Sequence, residues 1–264
     1  MKKPFSVIRI IILALLLSPL VLSWLPSTLL GGAFDGAYND SLFLSFKQLS
    51  ITLVSTILFA ATLTVILGYT SVLSMSFGRG AASVLNAIES IPAILIALFL
   101  YAPVSGYLAR HTGAASSFAS LAVFILAATL TSLPEAVRGV AIPLGDLYNR
   151  KYSLSFRSYG FTKRRILFVL MRSATMRNVL KRAVAGILLK TLVLDCSFGF
   201  IIQLGFGSYG TPAHASPGAL IAAHRDALFE GGQPILFWLP AIFLMTISVA
   251  LLLMLNDNRE KEAA

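Results

Sequence analysis

The sequence predicts an all-α, polytopic membrane protein with six transmembrane helices. Three observations predict it. Hydrophobic residues make up 57% of the 264 residues, where soluble domains carry about 45–50%. Charged residues make up only 12%, about half the usual share, and the mean hydropathy is +0.83. The apolar residues also fall in near-continuous runs of about 20, the length a helix needs to cross a bilayer. Outer-membrane strands would instead alternate polar and apolar over about 10 residues. A disordered chain is excluded, and a water-soluble domain is a poor fit.

The first expected span covers 7–24. Lys2 and Lys3 precede it as they would a secretory signal. The apolar run continues to Trp24, however, and no small-residue cleavage site follows closely, so it reads as an uncleaved span. The second covers 49–73 and the third 84–104. The fourth covers 118–140, the fifth 183–204 and the sixth 235–255. Pro92 and Pro240 are expected to start helices rather than bend them. Ala60, Ala61, Gly68, Ala93, Ala97, Ala185 and Gly186 are expected where spans pack closely.

Orientation follows from lysine and arginine. With the N-terminus in the cytoplasm, 17 of the 21 basic residues fall inside, ten of them within 150–182. Lys47, Arg110 and Arg225 fall outside, and Lys190 falls within the fifth span. This bias predicts N-in and C-in. It also accounts for the net charge of +10 by topology and lipid contact, without nucleic acid as a partner. A long cytoplasmic loop, about 141–182, reads as basic amphipathic helix with turns. An external loop, about 205–233, is rich in Gly, Pro, Ala and His.

No phosphate-cradling G-x-x-x-x-G-K-[ST] is present, nor H-E-x-x-H, nor G-x-S-x-G. A catalytic site, a bound cofactor and a metal site are therefore not expected. His111, His214 and His224 are scattered on the external side. The lone Cys196 excludes an internal disulfide and reads as a buried thiol. Charged residues within spans are costly and flag function or structural pairing. Glu89 sits three residues before Pro92. Glu135 ends the fourth span, with Arg138 one turn on as an ion-pair candidate. Lys190 and Asp195 lie in the fifth span on different faces. No internal repeat, broken midplane helix or line of charges is visible, as a self-contained transporter or channel would require.

The segment from Tyr152 to Leu167, YSLSFRSYGFTKRRIL, resembles the cytoplasmic EAA loop of binding-protein-dependent ABC importer permeases. In the dipeptide, oligopeptide and nickel branch that loop reads roughly Y-x-x-x-A-R-x-x-G-x-S-x-x-R-I-L. Tyr152, Arg157, Gly160, Arg165, Ile166 and Leu167 match it. Asn86, Glu89, Ser90 and Pro92 resemble the branch's L-D-x-x-x-S-x-P segment. Arg138 and Gly139 match its R-G after span four. Asp195, Ser197, Phe198 and the following Leu204–Gly207 are similar to E-x-S-L-S-F-L-G-L-G. Gly218, Ala222, Arg225 and Asp226 resemble W-G-x-M-L-A-E-G-R-D, a motif of the second permease of the pair. The likeness extends over most of the chain. Departures are Leu154 at the family's glutamate, Asn86 at its aspartate and Leu252 at an asparagine of the last span.

The resemblance implies a type I ABC importer permease fold in a bacterial inner membrane. It implies a pathway shared with a second, homologous permease. Two ATPase subunits would bind ATP in trans, and a periplasmic or lipid-anchored binding protein would deliver peptides or a nickel or metal chelate. Tyr152, Ser155, Phe156, Arg157, Gly160, Phe161, Lys163, Arg164 and Arg165 would couple to the ATPases. Asn86, Glu89, Pro92 and Asp195 would line the path or hold it together. Gly218, His224, Arg225 and Asp226 would face the binding protein. The local expectation for the coupling loop is a short helix, a glycine turn and a second helix.

Overall fold

Helix α1 (Gly36–Leu73) opens the computed structural model, which describes residues 36–110, 114–201, 216–229 and 233–263. The expected first span, 7–24, lies outside these residues, as do His111, His214 and 202–215. Helix α1 begins well before the apolar run expected at 49. Its polar residues tolerate this because their hydroxyls bond back to the preceding turn. Ser45 Oγ donates to the Leu42 carbonyl at 2.8 Å and Thr52 Oγ1 to that of Gln48 at 2.9 Å.

After Ser74, which caps it by accepting from the Phe77 amide, helix α2 (Met75–Glu89) folds back against the end of α1. The close approach needs glycine: a Cβ on Gly78 would stand 2.6 Å from the Ser71 carbonyl oxygen. Helix α3 (Ala93–Arg110) follows at a bend of 87°. Pro92 explains the break, since it lacks an amide proton and disfavours the helical conformation for Ile91. Pro92 does start α3, its carbonyl accepting from Leu95 and Ile96. The span expected over 84–104 therefore falls across parts of two helices.

Helix α4 (Ala114–Asn149) is a single element that continues beyond the expected end at 140. Helices α5 (Lys151–Ser158) and α6 (Lys163–Met171) are short. Helix α7 (Ala174–Ile201) starts about two turns before 183. The expected 141–182 loop is thus largely helical, made of the end of α4, α5, α6 and the start of α7. Helix α8 (Pro217–Ala223) and a 3-10 turn (Arg225–Leu228) occupy part of the expected external loop. Helix α9 (Ile235–Ala263) ends the described chain.

Among the described residues there is no strand. Four stretches of the described residues are long and apolar enough to cross a membrane, as a multi-pass membrane protein requires: Asp40–Leu73, Leu121–Asn149, Ala174–Ile201 and Ile235–Leu253. The bent pair α2 and α3 would add a fifth, broken span.

Helices α1, α4 and α7 form the centre, with α1 on α4 the most extensive contact. Small residues let them approach. Ala60 is fully buried against Ala136 and Ile187. A Cβ on Gly68 would meet the Val140 side chain at 2.9 Å. Ala97 of α3 is buried with Tyr101, Phe124 and Phe198. Ala93, expected at such a contact, is exposed.

Pro240 lies inside α9 rather than at its start. A proline there leaves the carbonyl four residues back, that of Leu236, without its helical donor. The Tyr38 hydroxyl fills the gap, donating to Leu236 O at 2.8 Å from the start of α1. Burial raises the Tyr38 pKa above its ordinary value, so the phenol keeps the proton this bond requires.

Candidate functional site: a basic helical knob and a cleft between α4 and α7

The α5–α6 pair forms a knob at one end of the bundle. Its turn is a left-handed helix cap. Gly160 has φ of +79°. The Gly160 amide donates to Arg157 O at 2.9 Å and the Phe161 amide to Phe156 O at 3.1 Å. The rings of Phe156 and Phe161 meet edge to face, centroids 5.9 Å apart, which is the apolar contact that commonly closes such a cap. Nothing stands within 4 Å of a Cβ placed on Gly160, so its conformation, not crowding, requires glycine.

Two cations fasten the knob to the ends of two spans. Arg157 donates to Tyr148 O in the last turn of α4 at 2.7 Å, with its guanidinium 3.8 Å from the Tyr148 ring centroid. Lys163 Nζ donates to Leu73 O, the end of α1, at 2.9 Å. Positive charge at a helix C-terminus is favourable. Tyr69 adds a bond from α1 to Arg164 O at 3.1 Å. Beneath, Ile166, Leu167 and Leu170 bury against Val140, Leu144, Leu147, Met176 and Val179. Arg157 and Lys163, both expected in the coupling set, thus tie the knob to the bundle.

The outward face is apolar and basic. Tyr159 is 81% exposed, and Leu154, Phe156, Phe161, Phe168 and Val169 are exposed with it. Ser155, Arg164 and Arg165 are also exposed. Arg165 stacks on Phe161 at 4.8 Å and Arg172 on Phe168 at 4.3 Å. Phe156, Phe161, Arg165, Ile166, Val169 and Leu170 surround a pit of about 50 Å³. No acidic residue occurs between Asp146 and Asp195, so the knob is uniformly basic. Tyr152 belongs to α5 by its backbone, and its side chain lies outside the described part. Phe168 was not singled out in the sequence, whereas Val169 and Arg172 belong to the basic amphipathic stretch read there.

The charges within the bundle pair differently from the sequence expectation. Arg138 bonds Glu89 of α2 and donates to Asn86 Oδ1 at 2.9 Å. Glu135, one turn before it, is paired instead with Lys190 of α7 at 2.7 Å. Asn86, Glu89 and Arg138 therefore tie α2 to α4, and Pro92 breaks the chain beside them. Asp195 is fully buried, between Leu194 in the α3–α4 core and Cys196 in the core shared with α1 and α9.

The Glu135–Lys190 pair lies in a cleft of about 610 Å³ between α4 and α7, with Leu252 of α9 at its margin. Among the residues expected at the external face, Gly218 is buried, and a Cβ there would stand 1.8 Å from the Cys196 carbonyl oxygen. Glycine is required there by helix packing. His224 bonds Leu220 O at 3.0 Å and meets the Tyr38 ring edge to face. Arg225 and Asp226 are exposed and pair with each other at 3.4 Å. Among the described residues no group of three or more metal-ligating side chains is present.

No protein-family model matches the sequence, and a search of the curated proteins finds no match. The functional reading therefore rests on residues and geometry.

Proposed function

We propose that this chain is the permease subunit of an ABC importer in a bacterial inner membrane. With a second, similar permease it forms the path for peptides or a related small solute such as a nickel or metal chelate. A binding protein delivers the solute from outside. ATP hydrolysis takes place in two partner subunits, and this chain is not itself an enzyme.

One observation carries the reading: the glycine-capped knob, exposed, apolar and basic, fastened to the ends of two spans. A partner gripping Phe156, Tyr159 and Phe161 would pull on α1 through Lys163 and on α4 through Arg157. The apolar base shared with α7 would carry the third span along. A rigid-body rocking of the bundle then follows from closure of the ATPases.

The test is purification of a tagged chain in mild detergent, with mass spectrometry of what accompanies it. A second polytopic protein and one or two ATPases support the proposal. A lone homo-oligomer across several detergents refutes it.

A second reading has an observation in its favour. The 87° break between α2 and α3 is the kind of interrupted helix found in self-contained transporters. Solute movement by the purified chain without ATP would establish that alternative.

A further inference from the structure

We propose that the cleft between α4 and α7 is a water-filled face of the solute path, with Glu135 and Lys190 as its charge-selecting pair. The inference rests on the reading of the chain as a transporter, whatever supplies the energy.

Depth is the first argument. Glu135 and Lys190 each lie about three turns or more inside the helices Leu121–Asn149 and Ala174–Ile201, which are long and apolar enough to cross a membrane. Charges at such depth face a bundle interior or a water-filled cavity, because lipid would not solvate them. Exposure is the second. The side chains remain 68% and 42% exposed although they touch at 2.7 Å, so the pair is presented to the cleft and not sealed into the core. Asp195, on the same helix, is fully buried and does not line the cleft. The third argument is the walls. Gly139 and Gly186, one turn from Glu135 and Lys190, both line the cleft and both leave open space where a Cβ would stand. Glycine is not needed there for helix packing, and its effect is to widen the passage beside the pair.

A solute bearing an ionic group can replace one member of the pair as counter-ion to the other, while the displaced member stays in the cleft and is solvated by its water. Such exchange costs little in either direction, which suits a passage that must release what it admits. A solute without ionic groups gains nothing by opening the pair. Glu135 and Lys190 are thereby specificity-determining residues.

The experiment uses full-length chain carrying Cys196→Ser and Gly186→Cys, in native membrane vesicles. The probes are cationic, anionic and uncharged methanethiosulfonate reagents. Both charged reagents are expected to react. Lys190→Gln should raise the cation-to-anion rate ratio about tenfold, and Glu135→Gln should lower it about tenfold. The double variant should return it to the starting value. The exchanged pair, Glu135→Lys with Lys190→Glu, keeps the attraction and guards against failure to fold. Reaction with the uncharged reagent alone would mean a dry cleft and overturn the proposal. Ratios that stay within twofold across the single variants would overturn the role of the pair. The labelling needs no ATP and no partner, so its failure is distinct from a failure to recover ATPases with the chain.

Discussion

Gly160 and Gly218 are both glycines of necessity, for opposite reasons. At Gly160 the backbone is left-handed and the surroundings are empty. At Gly218 the backbone of α8 lies so close to α7 that a Cβ would collide with the Cys196 carbonyl. Gly199 repeats the pattern nearby, where a Cβ would stand 1.7 Å from Ser216 Oγ. One region is therefore a turn that presents side chains outward. The other is a backbone-to-backbone contact that presents nothing. The first is open to contact without disturbing the packing of the second, a separation that the proposed coupling role would need.

Six substitutions at five positions test this contrast, in order of falling effect. Gly218→Val should be the most damaging, since the obstacle is backbone and cannot rotate away. Its cost should reach the upper range for overpacking, about 3 kcal/mol, and the chain should be lost from the monodisperse peak in detergent gel filtration. A stable, monodisperse variant would remove the close approach of α8 to α7.

Lys163→Met and Arg157→Met each remove a charged donor from a helix-terminal carbonyl. The expected loss is about 1.5–3 kcal/mol, less where water replaces the donor, and is read as a lower thermal midpoint. If both midpoints match the parent, the knob is not fastened as described.

Gly160→Val should cost about 1–2 kcal/mol, the penalty for a left-handed residue with a Cβ. The bundle should survive, and if the proposed function holds, stimulation of an ATPase partner should fall away. Gly160→Asn, which tolerates the left-handed region better, should lie between the two. Full ATPase stimulation by the valine variant would rule out the knob as the coupling element.

Tyr38→Phe is the mildest. It leaves Leu236 O without a donor beside Pro240, at about 1 kcal/mol. A small drop in midpoint is expected. An increase would mean that the carbonyl finds another partner.

Legibility in the sequence followed the range of the interaction. Gly160 could be read because a glycine between two basic amphipathic stretches is itself a turn signal, and the cap that forms there uses residues within six positions. Pro92 could be read as a helix start, but not as an 87° bend, because the direction of α3 is set by packing on Phe124 and Phe198. Hydropathy located the apolar parts of α1, α4 and α7 but not their ends. The helices run on into polar sequence wherever hydrogen bonds and neighbouring side chains support them. The ion pairs were read wrongly for a similar reason. Glu135 and Arg138 are one turn apart on α4 and would pair on an isolated helix. Each instead reaches a different neighbouring helix.

By itself the sequence determined an all-helical, apolar chain with its basic residues gathered in one segment and a glycine where that segment turns. Those properties come from composition and from spacings of a few residues, which the local chemistry of the chain settles. Tertiary structure alone decided which charges meet, which glycines are crowded and which faces stay open. Arg138 finds Glu89 across 49 positions, Lys163 finds Leu73 across 90, and Tyr38 reaches Leu236 across 198. Contacts of that range depend on how whole helices pack, and no local periodicity encodes them.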